Sequence, residues 1–257
     1  MIVWLHGGGE GGTDIEIALL GSKVTALTDE NIQQNFEDES RDGAYVLAVQ
    51  CPTMWMDGDG NGTMNNADDG KAQTSYYTRA LFAAIDDIVK GNPDIDSTRI
   101  YLGGCSNGGY MTVNMAINYG DYFAAYFPVC EGYRDDKLSD EQIADLADKN
   151  IWFVFSINDI MLDPFVYTVP TYARLILAGA ENVNCTVLDK IVGRDDPEVE
   201  DYVGHWAWVT VLNDDVTARL DNDAVRAYLE EHGDYDCISP LNNAVSQDLW
   251  KWLSTCR

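Results

Sequence analysis

Short apolar runs recur along the chain, and stretches of helical spacing lie between them. Ile2–Leu5, Tyr45–Val49, Ile100–Leu102, Ile151–Phe155 and Asn184–Leu188 read as strands. Between them, Leu81, Ala84, Ile85, Ile88 and Val89 fall at helical spacing, which predicts a helix over 75–90 burying one face. The segments 111–118 and 167–178 read the same way, and Val245, Leu249, Trp252 and Leu253 mark a closing amphipathic helix. Alternating strands and helices are the signature of βα units around a mainly parallel sheet.

Two stretches break this rhythm. Thr53–Gln73 is rich in Gly, Asp and Asn. Asn213–Asn243 is acidic, with a short helix predicted around Asp223–Glu231. Loops of this length inside a compact domain are usually functional or mobile. The second stretch follows closely on His205, so it reads either as a cover over one side of a site or as a peripheral acidic insertion. Its narrow apolar edge (Val225, Tyr228, Leu229) predicts a loosely attached helix, and Cys237 is placed to tether it to Cys256. There is no internal repeat and no interdomain linker, so residues 1–257 read as one α/β domain with insertions at about 53–73 and 213–243.

Composition narrows the partners. Hydrophobic residues make up 46% of the 257 positions, enough for a packed interior. The formal charge of -27 repels nucleic acid and anionic membranes, whose binding draws on Lys and Arg. It suits neutral or cationic substrates, a salt-rich habitat or divalent-cation binding. No apolar run is long enough to span a bilayer. Met1 leads straight into Ile2-Val3-Trp4-Leu5 without the pattern of a signal peptide. The six cysteines lack the paired short spacing of a zinc site. They read as buried thiols or as up to three disulfides, so a cytoplasmic and a secreted protein both fit.

The chemistry is concentrated in four segments. Gly104-Cys105-Ser106-Asn107-Gly108 fits G-x-S-x-G, with an apolar strand before it and a helix-compatible run after it. In that context the glycines permit a sharp turn that presents the Ser106 hydroxyl, and the helix N-terminus faces any oxyanion formed there. A serine hydroxyl needs a base. Of the three histidines, His6 ends the first strand and His232 lies at an acidic helix terminus, whereas His205 comes late in the chain, as the order Ser, Asp, His requires. The acid is expected just beyond the strand at 151–155, where Asp159 follows closely and Asp163 competes. After the first strand comes His6-Gly7-Gly8-Gly9-Glu10-Gly11-Gly12. Its glycines let a backbone N–H approach a carbonyl oxygen, so Gly8 (or Gly9) and Asn107 are the expected oxyanion-hole donors.

Taken together, these segments resemble the predicted-peptidase or esterase group of α/β hydrolases, kin to polyhydroxybutyrate-depolymerase-type and feruloyl esterases. The matching residues are Trp4 to Glu10, Val49-Gln50-Cys51-Pro52 with Trp55, Arg99 to Tyr110, Phe123-Ala124-Ala125 with Pro128-Val129-Cys130, Ile151-Trp152 to Asp159, and Gly204-His205 with Trp208. The resemblance implies an α/β-hydrolase fold, a mainly parallel sheet with helices on both faces, and no required cofactor. It also implies that the acid lies seven positions after Trp152, which selects Asp159 over Asp163. Three departures stand out. Ser156-Ile157 replaces the family's His-Gly before the acid. The chain starts at what resembles the family's third strand, so either the sequence is truncated there or its sheet lacks the first two. Some relatives bridge cysteines placed before Ser and His; here Cys105 fits but Gly204 stands at the other position.

The expected activity is that of a carboxylesterase acting through an acyl-enzyme on a small-molecule ester. An oligopeptidase-like serine peptidase and a non-catalytic binding module are the alternatives. Trp55, Tyr133, Trp206 and Trp208 are candidates to line a substrate pocket. Residues 57–68 match a calcium loop at Asp57, Asp59 and Asn61, with Asp68 where Glu is usual, which makes structural calcium a further expectation or else leaves an acidic Gly-rich loop.

Overall fold

A computed structural model describes residues 1–63, 74–192, 202–217, 220, 222–233 and 248–257. Its strands are β1 (Ile2–Leu5), β2 (Glu37–Asp38), β3 (Arg41–Asp42), β4 (Val46–Val49), β5 (Tyr101–Cys105), β6 (Ala125–Val129), β7 (Ile151–Ser156) and β8 (Val183–Leu188). The described helices are α1 (Ile15–Leu20), α2 (Glu30–Gln33), α3 (Thr78–Gly91), α4 (Asn107–Tyr119), α5 (Asp140–Ala147), α6 (Thr168–Leu177), α7 (Trp208–Leu212), α8 (Asp223–His232) and α9 (Leu249–Thr255). Strands β2 and β3 form a small hairpin, and the other six build one parallel sheet in the order β4-β1-β5-β6-β7-β8.

Successive strand side chains point to opposite faces, so strands apolar at every position require cover on both sides. Val3 and Leu5 face a core made with Leu81 and Ile85 of α3, Met111 and Met115 of α4, Ile143 of α5 and Leu175 of α6. Ile2 and Trp4 face a second core with Leu27, Ile32, Val211 of α7 and Leu249 and Trp250 of α9. Register then aligns the strand ends. Leu5 lies opposite Gly104, and Cys105 opposite Val129, so the segments after β1, β5 and β6 leave the sheet at one edge. Parallel α/β sheets place their binding crevices at that edge.

Strand β6 goes beyond the five strands that the hydrophobic pattern predicts. Pro128 lies inside it, paired in register with Gly104, and a proline inside an apolar run normally argues against a strand. Helix α4 starts four residues before the predicted Met111, because Gly108 and Gly109 hide its first turn. Those glycines are required by space: a Cβ on Gly108 would stand 2.0 Å from the Leu5 carbonyl oxygen, and one on Gly109 2.7 Å from that of Val129. Helix α5 carries a capping box in which Ser139 and Gln142 each accept the other's backbone N–H.

Helix α8 corrects the expectation of loose attachment. Val225 and Leu229 are buried in the core that includes α6, and the Tyr228 ring lies 5.8 Å from that of Phe165. Two residues at i and i+4 are enough apolar edge when both are fully covered. Cys237 lies outside the described residues. The cysteines at 51, 105, 130, 185 and 256 are all buried thiols. Burial pushes Cys51 up to about 11 and Cys256 up to about 12. Among the described residues no helix is long and apolar enough to cross a membrane.

Candidate active site

Ser106 occupies the single-residue turn between β5 and α4, at φ 56° and ψ -113°. A side chain in the left-handed region costs of order 1–3 kcal/mol and persists only where its surroundings enforce it. Here the enforcement is visible. The Ser106 N–H donates to the Val129 carbonyl at 2.9 Å, and a Cβ on Gly104 would meet the Leu5 carbonyl oxygen at 2.5 Å. The turn therefore needs its glycines and has no room to relax.

The structure brings three of the predicted site residues into one series. His205 Nε2 lies 2.8 Å from Ser106 Oγ, and His205 Nδ1 lies 2.7 Å from Asp159 Oδ2. His205 and Asp159 are 4% and 5% exposed, so the bond between them is shielded from water, while Ser106 is half-buried. A carboxylate accepts only, which assigns the imidazole proton to Nδ1 and leaves Nε2 to accept from the serine hydroxyl. The second carboxylate oxygen, Asp159 Oδ1, accepts the N–H groups of Met161 (2.9 Å) and Leu162 (3.0 Å). Asp163 is exposed and accepts the N–H of Phe165, closing its own turn instead. Gly204 is excluded from carrying a side chain, since a Cβ there would lie 2.3 Å from Asn158 Oδ1.

The glycine segment after β1 is held by two residues that sequence reading passed over. Glu10 is buried; its Oε2 accepts the Gly7 N–H at 2.7 Å and its Oε1 accepts the Ser22 hydroxyl at 2.6 Å. His6 Nδ1 lies 2.7 Å from the Gly7 carbonyl, and its Nε2 accepts the Cys51 N–H at 2.9 Å. Those partners fix a neutral imidazole with the proton on Nδ1, and burial holds its pKa below the ordinary 6.5. Gly8 follows at the exposed start of a short 3-10 turn, where a Cβ would lie 3.7 Å from the Asn107 Cβ. Gly9 is exposed and has open space around its Cα. Asn107 opens α4, and its side-chain oxygen accepts the Trp55 N–H at 2.5 Å and the Met56 N–H at 3.3 Å.

Two of the aromatic candidates turn out to be interior. Trp55 is buried with its indole N–H on the His6 carbonyl (3.2 Å), and Tyr133 is buried in a stack on Tyr110 at 5.3 Å. Trp206 is exposed beside the site, and the Trp208 ring stands edge-on to His205 at 5.8 Å. Glu131, which sequence reading also missed, follows β6 and backs onto α4: a Cβ on Gly109 would lie 2.8 Å from its Cα. Burial pushes its carboxyl up to about 8, against the donors from Tyr133 and Thr168.

In the described part of the acidic loop the carboxylates accept the loop's own N–H groups. Asp57 is fully buried; its Oδ1 accepts N–H groups of Asp59 and Gly60, and its Oδ2 those of Gly62 and the Thr53 hydroxyl. Burial opposes its charge, but these donors outweigh it and hold the carboxyl below the usual range. Asp59 and Asn61 bond to each other and to their own turn. The carboxylates that read as calcium ligands thus close the backbone of the loop, and Asp68 lies outside the described residues. Among the described residues no group of three or more His, Cys, Asp or Glu is placed to hold a metal ion.

With this geometry in view, the fold can be set beside solved structures. A thermostable esterase superposes with a TM-score of 0.65 at 21% identity, covering 90% of this chain and 54% of its own. A ferulic acid esterase gives 0.53 at 14% identity over 82% and 81% of the two chains. Esterase PE8 gives 0.50 at 14% identity over 90% and 91%. The chain thus spans about half the length of the thermostable esterase. No family model matches it, and no curated protein does. The fold is the α/β-hydrolase fold: a mainly parallel six-stranded sheet between two layers of helices, with the serine turn at the sheet's C-terminal edge.

Proposed function

We propose that this chain is a serine hydrolase that cleaves carboxylic esters through an acyl-enzyme. Ser106 is the nucleophile, His205 its base, and Asp159 the carboxylate that orients the imidazole. The observation that carries the reading is the unbroken series Ser106 Oγ, His205 Nε2, His205 Nδ1, Asp159 Oδ2, with both links under 3 Å. Ester as the substrate class draws on the named activities of the similar structures, and that step is analogy of fold.

In this mechanism Ser106 Oγ attacks the ester carbonyl carbon as its proton passes to His205 Nε2. Backbone N–H groups of Gly8 and Asn107 stabilise the oxyanion, an assignment that rests on Asn107 following the serine at the helix start and on Gly8 lying against it, where a Cβ would stand 3.7 Å from the Asn107 Cβ. The tetrahedral intermediate collapses as His205 returns the proton to the alcohol oxygen, and water repeats the sequence on the acyl-enzyme. Every proton and electron pair moves through side chains or water, so the proposed chemistry calls on no cofactor.

The test is Ser106→Ala. Turnover of a nitrophenyl ester is expected to fall on the order of 10^6-fold, with the thermal midpoint retained. Turnover near that of the parent protein would overturn the assignment.

A further inference from the structure

Around Trp208, whose ring meets His205 edge-on, the surface opens into a cavity of about 250 Å3 walled by Tyr202, Trp206 and Trp208, with Leu20, Ser22 and Lys23 among its other lining residues. Trp206 is the anomaly. Of the seven tryptophans, Trp4, Trp55, Trp152, Trp250 and Trp252 are buried and Trp208 is half-buried, whereas Trp206 is 40% exposed. Leaving an indole in water forgoes the burial energy that the others gain. Its ring lies between Tyr202 (5.7 Å, 39°) and Trp208 (6.1 Å, 37°), so the three rings form one curved aromatic wall. That wall is joined to the serine site through Trp208, edge-on to His205. Ser22, also at the cavity, donates to the Glu10 carboxylate that holds Gly7.

We propose that this cavity is a leaving-group subsite that takes a ring-bearing alcohol half of the ester. The inference rests on the serine-hydrolase reading above and follows from where the proton must go. As the Ser106 Oγ–carbon bond forms, the proton moves to His205 Nε2. As the carbon–oxygen bond to the alcohol breaks, that proton passes to the departing oxygen. The departing oxygen therefore sits within hydrogen-bond reach of Nε2, and its substituent continues on the imidazole side. The acyl half stays on Ser106. On the imidazole side the chain offers π-faces, and flat or cyclic substituents match them better than a linear alkyl chain does.

The test compares Trp206→Ala with the parent protein on three esters: 2-naphthylmethyl acetate, ethyl 2-naphthylacetate and ethyl acetate. The ratio of kcat/KM for 2-naphthylmethyl acetate over ethyl acetate is expected to fall about 10-fold, and Trp206→Phe should restore part of it. The ratio for ethyl 2-naphthylacetate over ethyl acetate should shift less than about 2-fold. A loss that follows the acyl ring, or no change in either ratio, overturns the inference. Should the parent protein hydrolyse none of the three, the hydrolase reading falls, and calorimetry with 2-naphthylmethanol decides the cavity separately. Binding lost in Trp206→Ala supports an aromatic-alcohol site; equal binding in both proteins, or none, overturns it.

Discussion

Two histidines lie buried at the same edge of the sheet, each bonded through both ring nitrogens, and their partners divide their roles. His6 is clamped between two backbone groups, the Gly7 carbonyl and the Cys51 N–H. His205 is held between a hydroxyl and a carboxylate. Backbone groups do not exchange protons near neutral pH, so His6 can only brace the glycine segment. A serine hydroxyl and an aspartate can give and stabilise charge, so His205 can move a proton. Burial alone says nothing about which role an imidazole has; the chemistry of its two neighbours does.

The comparison breaks most visibly on the Asp159 side. Asp159→Asn should favour the wrong tautomer of His205 and lower ester turnover on the order of 10^4-fold. Asp163→Asn, which touches only its own turn, should change turnover by no more than about 2-fold, because exposed substitutions away from a site are nearly neutral. Parallel kinetics on the two variants check this, and reversed effects would contradict the assignment.

His6→Ala should be milder and different in kind. It leaves the Cys51 N–H and the Gly7 carbonyl without their partner, a cost of about 1–3 kcal/mol. The slackened glycine segment should lower kcat roughly 10- to 100-fold through misplacement of the oxyanion donors. The acidic limb of the pH–rate profile should stay in place, since a brace does not titrate in the reaction; a displaced limb would make His6 part of the proton path.

The smallest expected effect on turnover belongs to Glu131. Its carboxyl is lifted from an ordinary 4.5 to about 8 in the folded chain. Between those values the unfolded chain has released this proton while the native chain keeps it. The native state thus binds more protons, and this group's contribution to stability falls as pH rises through that window. Glu131→Gln should flatten that slope, as urea midpoints across the window would show. An unchanged slope would mean that Glu131 ionises at its ordinary pH.

These contrasts also explain what the sequence made legible. The strand, serine turn and most of the helix over 100–119 were readable because G-x-S-x-G stands between an apolar run and a helical pattern, whereas Gly108 and Gly109 hid the helix's first turn. Strand β6 was hidden by Pro128. Trp55 and Tyr133 are buried, which the sequence does not reveal because an aromatic letter does not distinguish a core from a pocket. Asp57, Asp59 and Asn61 fit a calcium loop or an acidic Gly-rich loop equally in letters, because carboxylates at that spacing also close backbone turns. The brace role of His6 depends on Cys51, which is 45 residues away, and no local pattern announces such a partner.

The central claim, that Ser106 is the activated nucleophile, is tested most directly by a fluorophosphonate probe followed by intact-mass and peptide-level analysis. The account predicts one adduct per chain, on Ser106, formed rapidly by the parent protein, slowly by Asp159→Asn and not at all by Ser106→Ala. Labelling that persists in Ser106→Ala, or a parent protein that does not react, would contradict it.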